Sequence, residues 1–328
     1  MFTQRTRRIL VLHKKTILIS VGVIISILII GSYFVGNYFV EYVLGRKPVN
    51  FDDPLSPTYD KPTVEQINRD IAKEKVKDFY NNISFEEVTI PSTDGKETLY
   101  AKIFPQENSN LWVVLVHGYT SSHKDIEDVI VEYYNRGYNV VAPDLRSHGN
   151  STGEYITLGE KDKDDIVAWA NYINNSESKI VLHGFSMGAA TVLLASSADK
   201  LPESVFAIIE DSGYTTALQM LNEQLTYRFN LPTFPIIDIS NIVSIIKTGL
   251  NFYDPKPIEA IQNSELPILF IHGDEDIFVL PYMHTELYNT YKGPKDKLMI
   301  GGAGHTAGRY VEPQLYYDTV FNFIETYT

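Results

Sequence analysis

Chemistry is first suggested by three residue types placed far apart in the chain. Ser186 lies in His183-Gly184-Phe185-Ser186-Met187-Gly188, between the apolar run "KIVL" and the small-residue run "AATVLLAS". In a Gly-x-Ser-x-Gly at a strand-to-helix turn, the serine hydroxyl is presented at the apex. Gly184 and Gly188 leave room for the backbone and the following helix to pass closely. A serine attacks only if a base takes its proton and a third group orients that base. His305, in "GGAGHTAG" after the last apolar run, is the candidate base. For the orienting acid, "HGDEDIFV" offers Asp276, and Asp211 after "VFAIIE" is its rival. The chain order Ser, Asp, His favours Asp276. Asp274 and Glu275 read as solvated surface charges.

Acyl transfer to such a serine also needs hydrogen-bond donors for an oxyanion. The backbone amide of Met187, next after the serine, is one. The second should come from the loop after an earlier strand, where "VHGYTSS" puts the Tyr119 amide. The remaining histidines have simpler readings. His117, His183 and His272 each end an apolar run as His-Gly and read as turn residues, while His123, His148 and His284 have no evident partner.

Such groups need a rigid frame, and the sequence supplies one. "FEEVTI" and "LYAKIF" predict an opening hairpin; "WVVLVH", "NVVAPD", "KIVLHG", "VFAIIED", "PILFIHG" and "KLMIGG" predict strands covered on both faces. Helical stretches over 125–135, 159–174 and 187–198 alternate with them, which predicts an α/β fold: a mostly parallel sheet with helices on both sides. Between "VFAIIED" and "PILFIHG" lie more than fifty residues rich in Leu, Ile, Phe and Tyr. A connection that long with its own helical patterns predicts a cap insertion at about 213–265.

Together these residues resemble the α/β-hydrolase superfamily over about residues 85 to 328. The resemblance is carried by His117-Gly118-Tyr119, the stretch "DLRSHGNSTGE", Gly184 to Gly188, His272-Gly273-x-x-Asp276 and Gly304-His305. It is nearest to bacterial serine hydrolases of the serine aminopeptidase, monoacylglycerol-lipase-like and prolyl-oligopeptidase-like groups. Ser147 stands where such relatives often carry glycine. The resemblance implies a serine hydrolase needing no metal or organic cofactor; the aromatic and aliphatic insertion and the apolar amino-terminal stretch then make a carboxylic ester the leading substrate class, such as a short acyl ester or a monoacylglycerol. A peptidase or amidase stays open, because the triad does not distinguish ester from amide. A non-catalytic binding protein that keeps the fold is the competing class; it typically lacks a triad member, and here every role has a candidate.

The amino terminus has a separate organisation. Residues 1–15 hold five Arg/Lys and no acid, and 25 uncharged residues follow from Thr16 to Val40. That length predicts a membrane-spanning helix over 16–42, with Tyr33, Tyr38 and Tyr42 at its far interface. The basic flank predicts a cytoplasmic amino terminus and an extracellular remainder. A cleaved signal peptide is the alternative, but no alanine precedes Ala72 to make a small-residue cleavage site. Residues 43–63, proline-rich and aperiodic, read as a linker, and 64–328 as the hydrolase domain. That domain opens on a packing helix whose apolar positions are Val64, Ile67, Ile71, Phe79 and Ile83. Beyond residue 15 the chain has 23 basic residues against 41 acidic ones, a poor surface for nucleic acid. The absence of cysteine removes disulfides and thiolate chemistry together.

Overall fold

Runs such as "WVVLV" and "ILFI" are buried on both sides because helices cover both faces of the sheet they form. The computed structural model describes residues 4–46 and 63–328; the sequence-predicted linker from 47 to 62 lies outside the described residues. Eight strands make one sheet: β1 (Glu86–Pro91), β2 (Thr98–Phe104), β3 (Leu111–Val116), β4 (Asn139–Asp144), β5 (Lys179–Phe185), β6 (Val205–Asp211), β7 (Ile268–Gly273) and β8 (Lys295–Ile300). The helices are α1 (Gln4–Leu44), α2 (Val64–Asn82), α3 (Glu127–Tyr134), α4 (Asp162–Ile173), α5 (Met187–Ala195), α6 (Ala217–Phe229), α7 (Thr233–Thr248), α8 (Pro257–Ala260), α9 (Pro281–Thr290), α10 (Gly308–Val311) and α11 (Pro313–Tyr327).

The strand order is β1-β2-β4-β3-β5-β6-β7-β8. β1 and β2 form the expected hairpin, with Thr89 opposite Tyr100, and β2 joins β4 antiparallel. From β4 across to β8 every pairing is parallel. The parallel strands therefore all end at one edge. The order reverses around β3, between β4 and β5, and a crevice opens outside the strand ends at such a reversal. Both outer strands are blunted by charge, Glu86 and Glu87 on β1 and Lys295, Asp296 and Lys297 on β8.

Two apolar clusters sit on opposite faces of the sheet. One combines α3 and α11 with Phe79 of α2; the other combines α4, α5 and α9 with residues of α6 and α7. The insertion between β6 and β7 is helical, formed by α6, α7 and α8. α2 is the expected packing helix, but only the carboxyl half of its apolar stripe docks, with Val76, Tyr80 and the following Ile83 packed on the core beside Phe79. Phe79 is buried, but Val64, Ile67 and Ile71 stay exposed. Arg69 stacks over the Tyr310 ring at 4.0 Å, and Asn68 Nδ2 donates to Tyr310 O at 2.8 Å.

The N-terminal helix also departs from expectation. Its stretch Leu12–Leu44 is long and apolar enough to cross a membrane, and most of its large side chains are exposed. Its carboxyl end, however, is part of the folded body. Val40 and Leu44 are fully buried, Lys247 of α7 donates to Asn37 Oδ1 at 2.8 Å and pairs with Glu41, and Ile156 N donates to Leu44 O at 2.8 Å. Residues 43 to 46, placed in the linker by their sequence, instead finish the helix and bond to the body: Gly45 bridges Tyr155, and the Arg46 guanidinium donates to Gly149 O and Gly153 O. Tyr42, expected at a water interface, packs edge-on against Phe229 of α6.

This contact is close enough to test. A side chain at Gly36 would put its Cβ 2.7 Å from Val243 Cγ2 and 3.0 Å from the Ile239 carbonyl, whereas nothing lies within 4 Å of Gly31. Gly36→Leu in the full-length chain is expected to lower stability by about 1–3 kcal/mol through overpacking against α7, with Gly31→Leu close to neutral. Thermal unfolding in detergent reads both; equal effects would mean that α1 does not pack on α7.

Candidate active site

Ser186 is placed by the meeting of β5 and α5. Its backbone has φ 54 and ψ −116, a conformation that L-residues rarely adopt, and the following helix runs back under the sheet edge. Only small residues permit that return. A Cβ on Gly188 would lie 2.1 Å from Val116 O at the end of β3, and one on Gly184 would lie 2.2 Å from Gly188 O. Ser186 N donates to Asp211 O at 2.8 Å, which ties the turn to the end of β6.

The loops after β7 and β8 bring the other two groups. Gly273 lets them touch, since a Cβ there would meet Ala303 O at 2.1 Å. Glu275 N donates to Ala303 O at 3.0 Å and Gly302 N to Asp274 Oδ1 at 2.7 Å, lacing the loops together. Asp276 turns inward and is buried, while Asp274 and Glu275 face solvent. The result is a hydrogen-bonded series: His305 Nδ1 donates to Asp276 Oδ2 at 2.7 Å, and Ser186 Oγ donates to His305 Nε2 at 2.8 Å. The series runs from buried to accessible: Asp276 is 2% exposed, and the His305 side chain is 25% exposed and so can exchange protons with a substrate. Phe278 packs against the imidazole with ring centroids 4.9 Å apart.

Burial alone would raise the Asp276 carboxyl, but the charge and hydrogen bonds of His305 and His272 outweigh it and hold the group well below the usual carboxylate range. Its other oxygen accepts from Phe278 N and Val279 N at 2.8 and 2.9 Å. Asp276 is therefore an anion throughout the neutral range, able to orient a donor without taking its proton.

Of the two amides expected to face an oxyanion, Met187 is the first residue of α5, where a backbone N–H has no acceptor inside the helix. Tyr119 follows Gly118, whose Cα faces the serine: a Cβ there would sit 3.2 Å from Ser186 Cβ. The Tyr119 loop is held from two sides. Thr120 N donates to His148 Nε2 at 3.1 Å, and Tyr119 Oη donates to Val43 O of α1 at 2.6 Å.

The rival acid does different work. Asp211 Oδ1 accepts from Ser212 Oγ at 2.8 Å and Oδ2 from Tyr316 Oη at 2.9 Å, and Ser212 Oγ in turn accepts Thr306 N at 3.3 Å. It supports the loop that carries His305 rather than the imidazole. The His-Gly histidines do more than turn the chain. His117 Nε2 accepts Leu145 N, His183 lies between the Tyr133 and Tyr316 hydroxyls, and His272 Nε2 donates to Val279 O at 2.8 Å while lying 3.3 Å from Asp276 Oδ2. His123, without an evident partner in the sequence, bonds Asp144 through both Nδ1 and its backbone N–H. Burial drives the His117, His183 and His284 imidazoles down to about 3 and that of His148 to about 4, so all four are neutral posts. The support of Asp276 by His272 was missed in the sequence, although their spacing of four residues in "HGDED" is visible there. Ser147 has φ 64 and donates through Oγ to Tyr155 O at 2.7 Å.

Ser186 opens onto two cavities of opposite character. One is a narrow apolar cavity of about 60 Å³ walled by α6, α7, Phe278 and residues of α1. The other is a wider, more polar cleft of about 710 Å³ bordered by Gly118, Thr120, Glu275, His305 and Arg309. Among the described residues no group of three or more His, Cys, Asp or Glu could hold a metal ion.

Residues 113–314 match the family model described as alpha/beta hydrolase family. The chain is 28% identical over 255 residues to the uncharacterized protein YqkD of Bacillus subtilis, covering 74% of this chain and 81% of that one. It is 27% identical over 245 residues to protein phosphatase methylesterase 1 of Schizosaccharomyces pombe, covering 69% of each. Among solved structures, the Pyrococcus furiosus esterase Pf2001 superposes with a TM-score of 0.61 at 25% identity, over 76% of this chain and 95% of that one.

Two outcomes follow from the packing and charge here. Gly188→Ala should cost about 3 kcal/mol or more, because its Cβ would meet backbone rather than a movable side chain; a stable Gly188→Ala protein in denaturant titration would contradict the close approach. Burial pushes the Glu210 carboxyl, at the end of β6 behind the site, from its ordinary 4.5 up to about 8. Between those values the folded chain holds a proton that the unfolded chain releases, so this contribution is full below 4.5 and is lost as pH rises towards 8. Glu210→Gln keeps the acceptor for Gly213 N and should flatten that decline. Denaturant unfolding at a series of pH values, wild type against variant, measures it.

Proposed function

The chain belongs to the alpha/beta hydrolase family, and from that premise we propose that it is a serine hydrolase that cleaves carboxylic esters of short apolar acids. The observation that carries the reading is the unbroken series from Ser186 Oγ through His305 to Asp276, 2.8 and 2.7 Å, set at the mouth of an apolar cavity. Ser186 Oγ attacks the ester carbonyl carbon as His305 Nε2 takes the hydroxyl proton, and Asp276 holds the imidazole by its Nδ1–H. Negative charge collecting on the carbonyl oxygen is met by the Met187 and Tyr119 amides at the positive end of α5. The tetrahedral intermediate collapses as His305 returns the proton to the departing alcohol, leaving an acyl group on Ser186. Water entering from the polar cleft, deprotonated by the same imidazole, releases the acid and restores the serine.

The two cavities divide the substrate. The acyl group fits the apolar side, whose volume of about 60 Å³ lies well below the ~300–1,000 Å³ of a drug-sized site and so favours a short chain. The alcohol and the attacking water occupy the polar cleft. The methylesterase and esterase similarities support ester over amide cleavage. We read α1 as a membrane-spanning anchor, with the basic amino terminus cytoplasmic and the sheet domain outside. Its apolar exterior supports this, and so does the exposed apolar face of α7 beside it, formed by Phe234, Ile242 and Ile246.

A fluorophosphonate should label the full-length protein, and Ser186→Ala should abolish labelling. Ser186→Ala and His305→Ala are each expected to remove nearly all hydrolysis of p-nitrophenyl esters, and Asp276→Asn to lower kcat by roughly 10³–10⁴-fold. Asp211→Asn should retain turnover. Loss of activity in Asp211→Asn with Asp276→Asn unaffected would overturn the acid assignment, and faster cleavage of aminoacyl amides than of esters would overturn the substrate class.

A further inference from the structure

The apolar cavity beside Ser186 is closed in part by the carboxyl end of the N-terminal helix, which is packed into the folded body. Phe39, Tyr42 and Val43 line it, opposite Met187, Leu221 and Phe278. They are held there firmly. Phe39 and Tyr42 pack edge-on against Phe229 at 5.2 and 5.1 Å, Val43 O accepts the Tyr119 hydroxyl at 2.6 Å, and the helix is anchored to α7 through Lys247 and the close approach at Gly36. The same turn of helix therefore shapes the cavity and braces the loop that carries the Tyr119 amide.

We propose that the carboxyl end of α1 is the specificity-determining wall of the acyl site, with Phe39, Tyr42 and Val43 setting the length of the apolar acyl chain that an ester substrate can seat. This rests on the serine hydrolase reading above and adds to it a second role for α1 beyond anchoring. The physical argument is one of volume. In a cavity of about 60 Å³, one aromatic ring removed from the wall, or one added, is a large fraction of the available space. Closely packed walls relax only partly, so the change is felt by the ligand.

The test uses the full-length chain in detergent micelles with p-nitrophenyl acetate, butyrate and octanoate. Phe39→Ala, which deepens the cavity, should raise the octanoate-to-butyrate ratio of kcat/KM by about tenfold or more, the size of a discrimination over a methylene or two. Val43→Phe, which fills it, should lower the butyrate-to-acetate ratio by about the same factor. Ile30→Ala, on the exposed part of the same helix, should leave both ratios as in the wild type. Ratios are independent of the folded fraction, so partial misfolding of a variant does not mimic the effect. Rates of Ser186 labelling by ethyl and octyl fluorophosphonates give the same comparison without turnover; phosphorus bonds to Oγ, fluoride leaves and His305 takes the proton. Ratios that stay within about twofold of wild type in both Phe39→Ala and Val43→Phe, with Ser186 still labelled, overturn this inference and leave the serine hydrolase standing; absence of labelling at Ser186 overturns both.

Discussion

The structure turns on the contact between the first turn of α5 and the ends of β3 and β5. Gly188 rests so close to the carbonyls of Val116 and His117 that no side chain fits, and two residues earlier Ser186 is held at φ 54 and ψ −116, a conformation L-residues rarely adopt. Strain of that kind persists only where the surroundings over-determine it. Here they do: β5 is buried between β3 and β6, Ser186 N is bound to Asp211 O, and α5 is buried along its whole length. The geometry that exposes a hydroxyl above the sheet is thus a by-product of tight sheet-to-helix packing, and everything reactive is arranged around that fixed point.

Around it, loops rather than strands hold the reacting groups, and each loop has its own brace. The His305 loop is held by Ser212 on Asp211, and by Arg309, whose Nη1 donates to Thr306 O at 2.7 Å while Nε pairs with Asp128. The Asp276 loop is laced to it through Gly273 and carries His272 behind its carboxylate. The Tyr119 loop is held by His148 from the 144–154 stretch and by α1. That stretch is itself organised on Asp144, which takes His123 on one oxygen and Asn150 N on the other. His148 suits its brace because, held neutral by burial, its ring accepts Thr120 N and donates to Arg146 O with no charge to desolvate.

The N-terminal helix shows how one element can hold two roles. From Leu12 to Phe34 it exposes Leu, Ile and Val, while its last turns bury Val40 and Leu44 and place aromatic rings in the wall of the apolar cavity beside Ser186. Arg46, just beyond, clamps the loop that positions His148. The exposed apolar stretch and the site are therefore mechanically continuous, and a chain cut between them would lose a wall of the cavity beside Ser186.

Local sequence determined a good deal of this protein. The alternation of apolar strands with helical stretches, the opening hairpin, the helical insertion, and Gly-x-Ser-x-Gly at a strand-to-helix turn could all be read directly, because period and glycine placement are local properties of a chain. The bonding of Ser186, His305 and Asp276 in series could be anticipated but not seen, since those residues are 119 and 29 positions apart and meet only when β5, β7 and β8 are set in order. Only the tertiary structure separates Asp276 from Asp211: Asp211 ends β6 and Asp276 lies in the loop after β7, both beside the site, but an Asp276 oxygen faces the imidazole while the Asp211 oxygens face Ser212 and Tyr316. It also shows that residues 43 to 46 join the folded body, and what Tyr42 and Phe39 touch. A hydrophobic helix looks the same in sequence whether its aromatic rings meet lipid or a cavity, and only the packing of α1 against α6 and α7 tells them apart.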